Sequence, residues 1–503
     1  MMTSSEPSAD ITLLLEGTYP FVRGGVSSWV HQLIEGLPEF NFSLVYLGAQ
    51  RAAHNEIQYK LPPNVRALHC HYLMDGVELS EAKKRVGDPE YFSDSAKLHE
   101  WFRSPEGPPQ NAWLDRVVLQ KGDSDRACAK DFFRSKAAWT QISKSYARYC
   151  PDASFQSYLW SVRNMHTPLL KLPAIARTIA PSRAFHTVTT GYAGLLGAML
   201  KQQTGRPLIL TEHGIYTKER KIELQSMFLR EQHGWLAHVP NTGMEHHNEA
   251  WVRLFEGIGR LVYAAADPII TLFEQNRARQ IRDGADPVRT HVIPNGVDVA
   301  RFARLRARRP DTIPMVLGLI GRIVPIKDIK TFIRAIGVLA IKLPEVQGWL
   351  IGPEEEDPGY VDECRALVRS LELQDRICFM GFQKVEEVLP KLGLLVLTSI
   401  SEAFPLVIGE SFASGLPVLA TDVGACRDLI DGKDPADRAL GRAGDLVSIS
   451  DQDALAHAAF ALLTDPLRWS AAQQAGIARV ERYYEQSRVI DSYREIYQRM
   501  DAL

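Results

Sequence analysis

Short apolar runs alternate with longer amphipathic stretches along most of the chain. In the first half, runs such as ITLLLEG, FSLVYLG and RPLILTEHG have the length and composition of buried strands. Helical patterns lie between them, as in VSSWVHQLIEGL, where apolar residues recur every three or four positions. This alternation predicts an α/β protein with parallel sheets.

The pattern restarts after Ile313, which predicts a second domain. The runs MVLGLIG, VQGWLIG, RICFMG and LGLLVLTS alternate with helical segments in the rhythm of a doubly wound sheet. A basic, poorly periodic stretch, ARFARLRARRPDTIP, is typical of a connection between domains. We therefore expect two Rossmann-like domains, at residues 1–300 and 301–480. A C-terminal helix over 481–503 is expected to pack back on the first domain.

A segment from about residue 74 to residue 171 does not follow this rhythm. It is rich in charge and tryptophan, and it contains helical stretches such as DFFRSKAAWTQISKSYARY. We interpret it as a largely helical insertion in the first domain. The total of 503 residues is too long for one hydrophobic core, which agrees with two domains.

The composition is that of an ordinary globular protein. A formal net charge of −2 gives no electrostatic reason to expect nucleic acid as a partner. The six cysteines form no C-x-x-C motif, which favours reduced thiols. The polar N-terminus does not resemble a signal peptide, and charge, Gly or Pro interrupts every long apolar stretch. We expect a cytoplasmic protein that reaches a membrane only through a partner.

Two cations follow the first strand of the second domain. In GRIVPIKD, Arg322 and Lys327 lie between a strand and the helix after it, where open α/β sheets bind ligands. Cations beside a helix N-terminus are suited to phosphate oxygens. A solvated surface loop is the alternative, but Gly321 would let the backbone approach a ligand, which favours a phosphate site.

A second candidate for ligand contact is the loop PFVRGGVSSWV. Its glycines, Gly24 and Gly25, lie between the first strand and the first helix, where backbone without side chains can approach a charged group. The spacing is neither a dinucleotide fingerprint nor a P-loop. A tight turn without a ligand explains the two glycines equally well.

Two carboxylates interrupt the otherwise apolar segment SISEAFPLVIGESFASGLPVLATDVG. Glu402 and Glu410 are separated by seven residues, and carboxylates resist burial unless they have partners. Pro405 predicts that Glu402 precedes a helix and that Glu410 lies in its early turns. Interaction with the helix start could account for Glu410, but it does not explain Glu402.

Three clusters contain residue types that can bind metals. Asp123 and Asp125 form a D-x-D motif without a preceding apolar strand, which favours a solvated helix face. The clusters His69–His71 and Glu245–Glu249 lack the spacing of a structural zinc site. We expect no metal at any of them.

Taken together, the ordered motifs resemble the retaining glycosyltransferases of family 4, which have the GT-B fold. The resemblance rests on GRIVPIKD, on EAFPLVIGE with SFASGLPVLATDVG, and on AGDLVSISDQDALAHAAFALLTDP. It implies that the second domain binds a nucleotide-sugar, expected to be a UDP-hexose or a UDP-N-acetylhexosamine. The acceptor would approach from the first domain, and the two domains would close over a cleft.

The resemblance also implies roles for residues of the second domain. Arg322 and Lys327 would stabilise the departing diphosphate, so that neither a divalent metal nor another cofactor is expected. Glu402 would bind hydroxyls of the donor sugar, and Glu410 would bind the ribose hydroxyls. Backbone N–H groups at the helix start would bind phosphate or sugar oxygens; these belong to Phe404, Leu406 and Val407.

In the first domain, the resemblance assigns contacts to a histidine and to the glycine loop. His213, which follows a strand, corresponds to a family histidine near the transferred sugar, although a buried structural histidine is the alternative. Gly24 and Gly25 match the family's glycine loop, which touches the diphosphate when the cleft closes.

Stretches of the first half further resemble the glycosyltransferases of Pel exopolysaccharide synthesis, namely the N-terminal strand-and-helix region, LTEHGIYTKER and VIPNGVD. This implies a polysaccharide acceptor and an inner-membrane polysaccharide synthase complex as partner. Three alternatives stay open: a UDP-sugar epimerase, a non-catalytic nucleotide-sugar scaffold, and a glycoside hydrolase with paired carboxylates. The Arg/Lys pair argues against a hydrolase, which has no diphosphate to bind.

Overall fold

The computed structural model describes most of the chain, in two compact units. The described residues are 9–51, 56–75, 86–103, 107, 109, 113–118, 132, 134–151, 154–222 and 242–500. The first unit comprises Met1–Val292 and Arg494–Leu503, and the second comprises Ile293–Tyr493. Each unit contains its own parallel sheet.

The first unit is built on a seven-stranded sheet with the order β3-β2-β1-β4-β5-β6-β7. Its strands are β1 (Ala9–Glu16), β2 (Phe42–Gly48), β3 (Val65–Tyr72), β4 (Ser182–Thr187), β5 (Leu208–Glu212), β6 (Ile269–Thr271) and β7 (Thr290–Val292). All pairings are parallel, and β2 is buried throughout because both faces of the sheet are covered. The connection from β3 to β4 crosses from one half of the sheet to the other, so the switch point lies between the neighbouring strands β1 and β4.

Helices surround this sheet. Three of them belong to the insertion, and a fourth, α6 (Thr242–Ala265), packs against it. The α-helices of the first unit are α1 (Gly25–Gly36), α2 (Pro89–Arg103), α3 (Lys136–Tyr149), α4 (Phe155–Ala176), α5 (Tyr192–Thr204), α6 (Thr242–Ala265) and α7 (Glu274–Arg282). The described part of the insertion between β3 and β4 contains α2, α3, α4 and a short π-helical turn, Leu114–Val118. Buried residues of α2 to α6 form one continuous apolar core with the sheet.

The second unit has a six-stranded parallel sheet with the order β10-β9-β8-β11-β12-β13. Its strands are β8 (Val316–Ile320), β9 (Gln347–Ile351), β10 (Ile377–Gly381), β11 (Leu394–Leu397), β12 (Val418–Thr421) and β13 (Gly444–Val447). In chain order this is the 3-2-1-4-5-6 arrangement of a Rossmann fold, and its switch point lies between β8 and β11. Ligands of such sheets bind beyond the carboxyl ends of the strands at the switch point.

The helices of the second unit precede, connect and follow these strands, and the last one ends in the first unit. They are α8 (Val299–Ala303), α9 (Ile329–Ala340), α10 (Pro358–Ser370), α11 (Val385–Val388), α12 (Leu406–Ala413), α13 (Cys426–Asp431), α14 (Pro435–Arg438), α15 (Gln452–Leu463), α16 (Pro466–Tyr483) and α17 (Gln486–Met500). Single-turn 3-10 helices occur at Arg306–Arg308, Pro325–Lys327 and Leu389–Lys391. In the described residues, no helix is long and apolar enough to cross a membrane.

The last turns of α17 belong to the first unit. There Arg494 pairs with Glu39 at 2.5 Å, and the Tyr497 hydroxyl lies 2.7 Å from Nδ1 of buried His186. The other nitrogen of His186 lies 2.9 Å from the Thr211 hydroxyl. Burial lowers the pKa of His186 to about 3, so this imidazole stays neutral and holds the helix through hydrogen bonds.

Candidate active site

The loop after β8 reaches the switch point through one tight turn. Pro325–Lys327 form a single 3-10 turn, and Asp328 adopts a left-handed conformation with φ of 44°. The Asp328 carboxylate caps α9 by accepting hydrogen bonds from the backbone N–H and the hydroxyl of Thr331. This cap fixes where the turn ends, and therefore fixes the position of Lys327.

Lys327 and Glu402, which are 75 positions apart, meet at the switch point. The Lys327 Nζ lies 2.5 Å from Oε1 of Glu402, and the Ser399 hydroxyl donates to the same oxygen at 2.6 Å. The side chains are 22% and 13% exposed, so the ion pair is shielded but reachable by a ligand. Within the described part of the chain no hydrogen bond to Oε2 of Glu402 is found, so this oxygen can accept one from a ligand.

Backbone and hydroxyl hydrogen bonds join the loops after β8 and β11. The Thr398 hydroxyl donates to the Lys327 carbonyl at 2.7 Å, and the Ile400 N–H donates to the Ile326 carbonyl at 2.9 Å. The Thr421 hydroxyl in turn donates to the Ser399 carbonyl at 2.6 Å. The ion pair is therefore held by two loops of defined relative position.

Arg322 lies on the same loop but has a different partner. Its Nη1 contacts both carboxylate oxygens of Glu356, at 2.6 and 2.7 Å. Both side chains are about half exposed, so this pair is a surface ion pair, a kind that contributes little stability, about 0–1 kcal/mol. Phosphate oxygens could therefore replace Glu356 at little cost.

Two glycines that the sequence analysis did not single out allow these loops to pack. A Cβ on Gly352, at the end of β9, would lie 1.9 Å from the Gly321 carbonyl oxygen, and φ there is +153°. A Cβ on Gly424 would lie 2.2 Å from the Glu402 carbonyl oxygen, and φ is +55°. Both glycines follow a strand in the sequence, which was the available signal.

Helix α12 begins beside the loop that carries Glu402. Pro405 is its N-cap residue, and no side chain caps it. The first N–H groups, at Leu406 and Val407, belong to half-buried residues, so the helix start retains donors for an anion. The Phe404 ring is buried and packs edge-on against Tyr484 at 5.6 Å, so only the Phe404 backbone can serve a ligand.

Glu410 lies on α12, one turn beyond its start, in a different environment from Glu402. Among the described residues no hydrogen bond to its carboxylate is found, and the side chain is half-buried. The pKa of Glu410 is raised to about 7, mainly by burial, while Arg301 acts to lower it and Glu386 acts to raise it. A carboxylate that lacks donors is suited to accept hydrogen bonds from a ligand.

In the first unit, His213 follows β5 and is buried. Among the described residues its Nε2 has no hydrogen-bond partner, and its ring packs edge-on against Trp29 with centroids 4.6 Å apart. Burial lowers the pKa of His213 to about 3, so the imidazole is neutral. A neutral imidazole can exchange one hydrogen bond with a sugar hydroxyl without leaving a charge buried.

Glu212, directly before His213, is a buried acid that sequence reasoning missed. The buried carboxylate of Glu212 accepts hydrogen bonds from Thr190, Tyr263 and Gln280 side chains and from the Tyr216 backbone, at 2.8–3.1 Å. Burial raises the pKa of Glu212, while these four donors act against the shift. An acid directly at the end of a strand, as in ILTEHG, was the signal for it.

Gly24 and Gly25 lie at the start of α1 without a local structural need for glycine. Gly24 is extended, with φ of 170°, and a Cβ on either residue would meet nothing within 4 Å. Neither a strained turn nor crowding within the described chain therefore explains them. Open space at a helix start is the environment that a ligand-binding loop requires.

The clusters considered for metal binding do not form a site in the described residues. No group of three or more His, Cys, Asp or Glu side chains there could hold a metal ion. His69, Cys70 and His71 lie on β3, where successive side chains point to opposite faces. Asp123 and Asp125 lie outside the described residues, as do the side chains of residues 245–248.

Comparison with protein families identifies the class of the chain and then its family. The fold is GT-B, and residues 314–465, which contain the switch point, match the family described as Glycosyl transferases group 1. Residues 9–288, more than half of the chain, match the family described as Domain of unknown function (DUF3492). The chain belongs to this second family.

Curated relatives resemble part of the chain. A D-inositol 3-phosphate glycosyltransferase of Acidothermus cellulolyticus is 31% identical over 280 residues, 51% of this chain and 57% of the relative. The enzyme of the same name from Streptomyces scabiei is 30% identical, over 42% of this chain and 53% of the relative. The chain thus spans little more than half of the length of these relatives.

Solved structures share the fold over nearly the whole chain. Anabaena HepE in complex with UDP and glucose aligns with a TM-score of 0.57 and 16% identity, covering 97% of this chain and 99% of HepE. Sucrose-phosphate synthase from Thermosynechococcus elongatus aligns with a TM-score of 0.58 and 18% identity, covering 98% and 99% of the two chains. At this identity the likeness concerns the fold.

Proposed function

We propose that the protein is a retaining glycosyltransferase that moves a hexose or N-acetylhexosamine from a UDP-sugar to a growing exopolysaccharide. The observation that carries the proposal is the pairing of Lys327 with Glu402 at the switch point of the second sheet, beside the uncapped start of α12. This arrangement offers a cation and helix N–H groups to phosphates, and a carboxylate to sugar hydroxyls. UDP and glucose bound to HepE, which has the same fold, support this choice of ligand.

Stabilising the leaving diphosphate is the main task of such a site. When the bond between the sugar and the diphosphate breaks, negative charge grows on the phosphate oxygens, and fixed cations lower the barrier by stabilising it. Lys327 is fixed by its turn, and Arg322 would exchange Glu356 for phosphate oxygens in a forked contact. These cations support transfer without a metal or other cofactor.

The two glutamates would hold the two ends of the donor. Glu402 would accept from donor-sugar hydroxyls through Oε2 while Lys327 and Ser399 keep its other oxygen in place. Glu410 would accept from the ribose hydroxyls. The backbone N–H groups of Phe404, Leu406 and Val407 would bind the oxygens between them.

Residues of the first unit would serve the transferred sugar and the acceptor. Neutral His213 would pair its free Nε2 with a hydroxyl of the transferred sugar. The open loop at Gly24 and Gly25 would admit the diphosphate. We expect the acceptor hydroxyl to attack from the side of the departing diphosphate, which takes its proton, so that the anomeric configuration is retained.

The proposed acceptor and partner rest only on the resemblance of stretches in the first half of the sequence to the Pel exopolysaccharide glycosyltransferase PelF. We propose that the acceptor is the growing Pel-type polysaccharide on the cytoplasmic side of the inner membrane. A membrane-embedded polysaccharide synthase complex would take the product. A pull-down of that complex from bacterial membranes with the tagged chain tests this assignment, and absence of the complex would contradict it.

The activity is tested with purified protein, a panel of nucleotide-sugars and a polysaccharide acceptor. We expect release of UDP together with a longer glycan, with the anomeric configuration of the new linkage determined by NMR. Preference for ADP- or GDP-sugars would overturn the donor assignment. Interconversion of UDP-sugars without acceptor would show an epimerase, and sugar release without a nucleotide would show a hydrolase.

Substitutions at the switch point test the roles of the ion pair. Lys327→Ala is expected to lower the transfer rate about 10²–10³-fold, because one fixed donor to the developing charge is lost. Glu402→Ala is also expected to reduce transfer strongly. The matched control is Lys330→Ala, which breaks the exposed pair with Glu363 at 2.6 Å just beyond the turn. Near-normal turnover of either switch-point variant, with the fold intact, would refute these roles.

A further inference from the structure

A cavity of about 680 Å³ lies within the helical region of the first unit. Helices α2, α3, α4 and α6 supply its walls, and none of them carries a residue of the proposed transferase site. The volume falls within the about 300–1,000 Å³ that is usual for small-molecule sites. The cavity is therefore large enough for a ligand of its own.

The floor of the cavity is apolar and buried. Phe92 and Phe102 of α2 face Tyr158, Val162 and Met165 of α4 there, and each of these five residues is less than a tenth exposed. Well-packed protein interiors leave few spaces larger than a water molecule. An apolar ligand group that covers this floor would remove apolar surface from water, which favours binding.

Two histidines line the cavity and add a polar but uncharged feature. Nδ1 of His166 donates to the Val162 carbonyl at 2.7 Å, so Nε2 of His166 accepts from Nε2 of His99 at 2.9 Å. This leaves Nδ1 of His99 as an acceptor without a partner among the described residues. Burial lowers the pKa of His99 to about 3 and that of His166 to about 4, so the pair is neutral. The floor therefore carries no charge that would repel an apolar group.

Some of the charges that line the cavity are compensated by carboxylates. Arg148 lies 3.7 Å from Glu100, whose other oxygen accepts from Tyr149, and Arg253 pairs with Glu249. Arg148 is therefore compensated by an acid on another helix, and Arg253 by an acid one turn earlier on its own helix.

Three other cations that line the cavity are not compensated. Arg103 lies over the Tyr149 ring, 3.5 Å from its centroid, and neither it nor Lys136 or Lys144 has an ion-pair partner in the described part of the chain. The two lysines are exposed at the rim, above the buried floor. The charged groups thus leave an excess of positive charge where the cavity meets solvent.

We propose that this cavity binds an anionic amphiphile. Its apolar part lies over the floor formed by Phe92, Phe102, Tyr158, Val162 and Met165. Its carboxylate or phosphate lies among the three unpaired cations. Hydrogen bonds between ionised groups are stronger there than bonds between neutral groups would be. This site is independent of the nucleotide-sugar site.

Binding is tested by calorimetry on the full chain with three ligands of equal chain length. Dodecanoate and dodecyl phosphate are the anionic probes, and dodecyltrimethylammonium is the cationic reference, all below the concentrations at which they aggregate. We expect saturable one-to-one binding of at least one anion, at least about tenfold tighter than the cation. The better anion distinguishes a carboxylate source from a phosphate source. Failure of both anions to saturate, or equal binding of the cation, would overturn the proposal.

Variants locate the bound molecule. Val162→Trp fills the floor and should abolish binding, while Lys136→Glu with Lys144→Glu should weaken anion binding at least about tenfold. The control is Lys97→Glu, on the exposed side of α2, which should leave affinity unchanged. If the tryptophan variant does not fold, the double lysine variant decides. Unchanged anion binding in the double lysine variant, or in a folded tryptophan variant, would contradict the proposal. Because no nucleotide is present, the result does not depend on the proposed transferase activity.

Discussion

The pKa of Glu410 makes donor binding pH-dependent if this carboxylate binds the ribose. Its pKa is raised to about 7, chiefly because the half-buried carboxylate is withdrawn from water. The nearby charges are Arg301 and Glu386, which bind each other at 2.8 Å, so neither neutralises Glu410 fully. Two ribose hydroxyls that donate to the carboxylate would favour its ionised form, and donor binding would expel the proton.

The size of the effect follows from the titration of this one group. With a pKa of about 7, the ionised fraction rises from about one tenth at pH 6 to about nine tenths at pH 8. If only the ionised form binds, the Kd for the donor should fall about tenfold over this interval and level off above it. At pH 7, binding should release about half a proton per site.

Isothermal titration calorimetry with UDP-glucose measures both quantities. UDP-glucose has no phosphate monoester that titrates in this range, so a change in affinity reports on the protein. Measurements in two buffers with different ionisation enthalpies give the number of protons released. The matched variant is Glu410→Gln, which keeps a hydrogen-bonding side chain of similar size but cannot titrate.

Comparison of the wild type with Glu410→Gln shows whether Glu410 causes the pH dependence. We expect a tenfold change for the wild type and a flat profile for Glu410→Gln, and a donor with a 2′-deoxyribose should reduce the difference between them. Parallel profiles for both proteins would refute the role of Glu410. An affinity that falls as the pH rises would refute the sign of the argument.

Two further substitutions test the framework of the second unit. Arg479 and Asp437 form a fully buried ion pair at 2.6 Å, and the guanidinium donates to four backbone carbonyl groups as well. Arg479→Met should therefore lower the free energy of unfolding by about 3–5 kcal/mol in chemical denaturation, and an unchanged unfolding transition would contradict this. Gly352→Ala should displace the Gly321 carbonyl and weaken UDP-glucose binding in calorimetry, whereas Gly337→Ala, in a helix where the new Cβ meets only ordinary contacts, should not. Equal affinity of both glycine variants would refute the packing argument.

In the first unit, the apolar periodicity predicts most strands of the sheet, but it misses β3 and β4. The sequence VRALHCHY of β3 alternates weakly because this strand is at the edge of the sheet and partly exposed. The sequence SRAFHT of β4 contains polar residues that are nevertheless buried. Ser182 donates to the Thr12 hydroxyl at 2.8 Å, and His186 bonds to Thr211 and Tyr497. Burial of polar residues through tertiary hydrogen bonds cannot be inferred from a hydrophobic pattern.

The candidate site shows the same division between local and tertiary information. The sequence indicates that Lys327 follows a strand and that Glu402 precedes a helix, because proline and glycine mark those boundaries. Their contact depends on β8 and β11 being neighbours, which is a property of sheet order. The pairing of Arg322 with Glu356 and the three side-chain donors to Glu212 likewise depend on elements that are distant in the chain.

In the proposed donor complex, the two glutamates of one short segment would meet the ligand under opposite conditions. Lys327 and Ser399 already hold one oxygen of Glu402, so a sugar hydroxyl would find this carboxylate oriented and partly neutralised. Glu410 has no donor in the described chain, so each ribose hydroxyl that reaches it satisfies an unmet acceptor. Removing Glu402 also frees the Lys327 ammonium and should affect the transfer rate most. If Glu410 binds the ribose, its removal would take away a contact made equally before and during transfer, and should affect mainly the affinity for the donor. Measuring kcat and KM for both variants separates these roles: loss of Glu402 should mainly lower kcat, and loss of Glu410 should mainly raise KM for the donor.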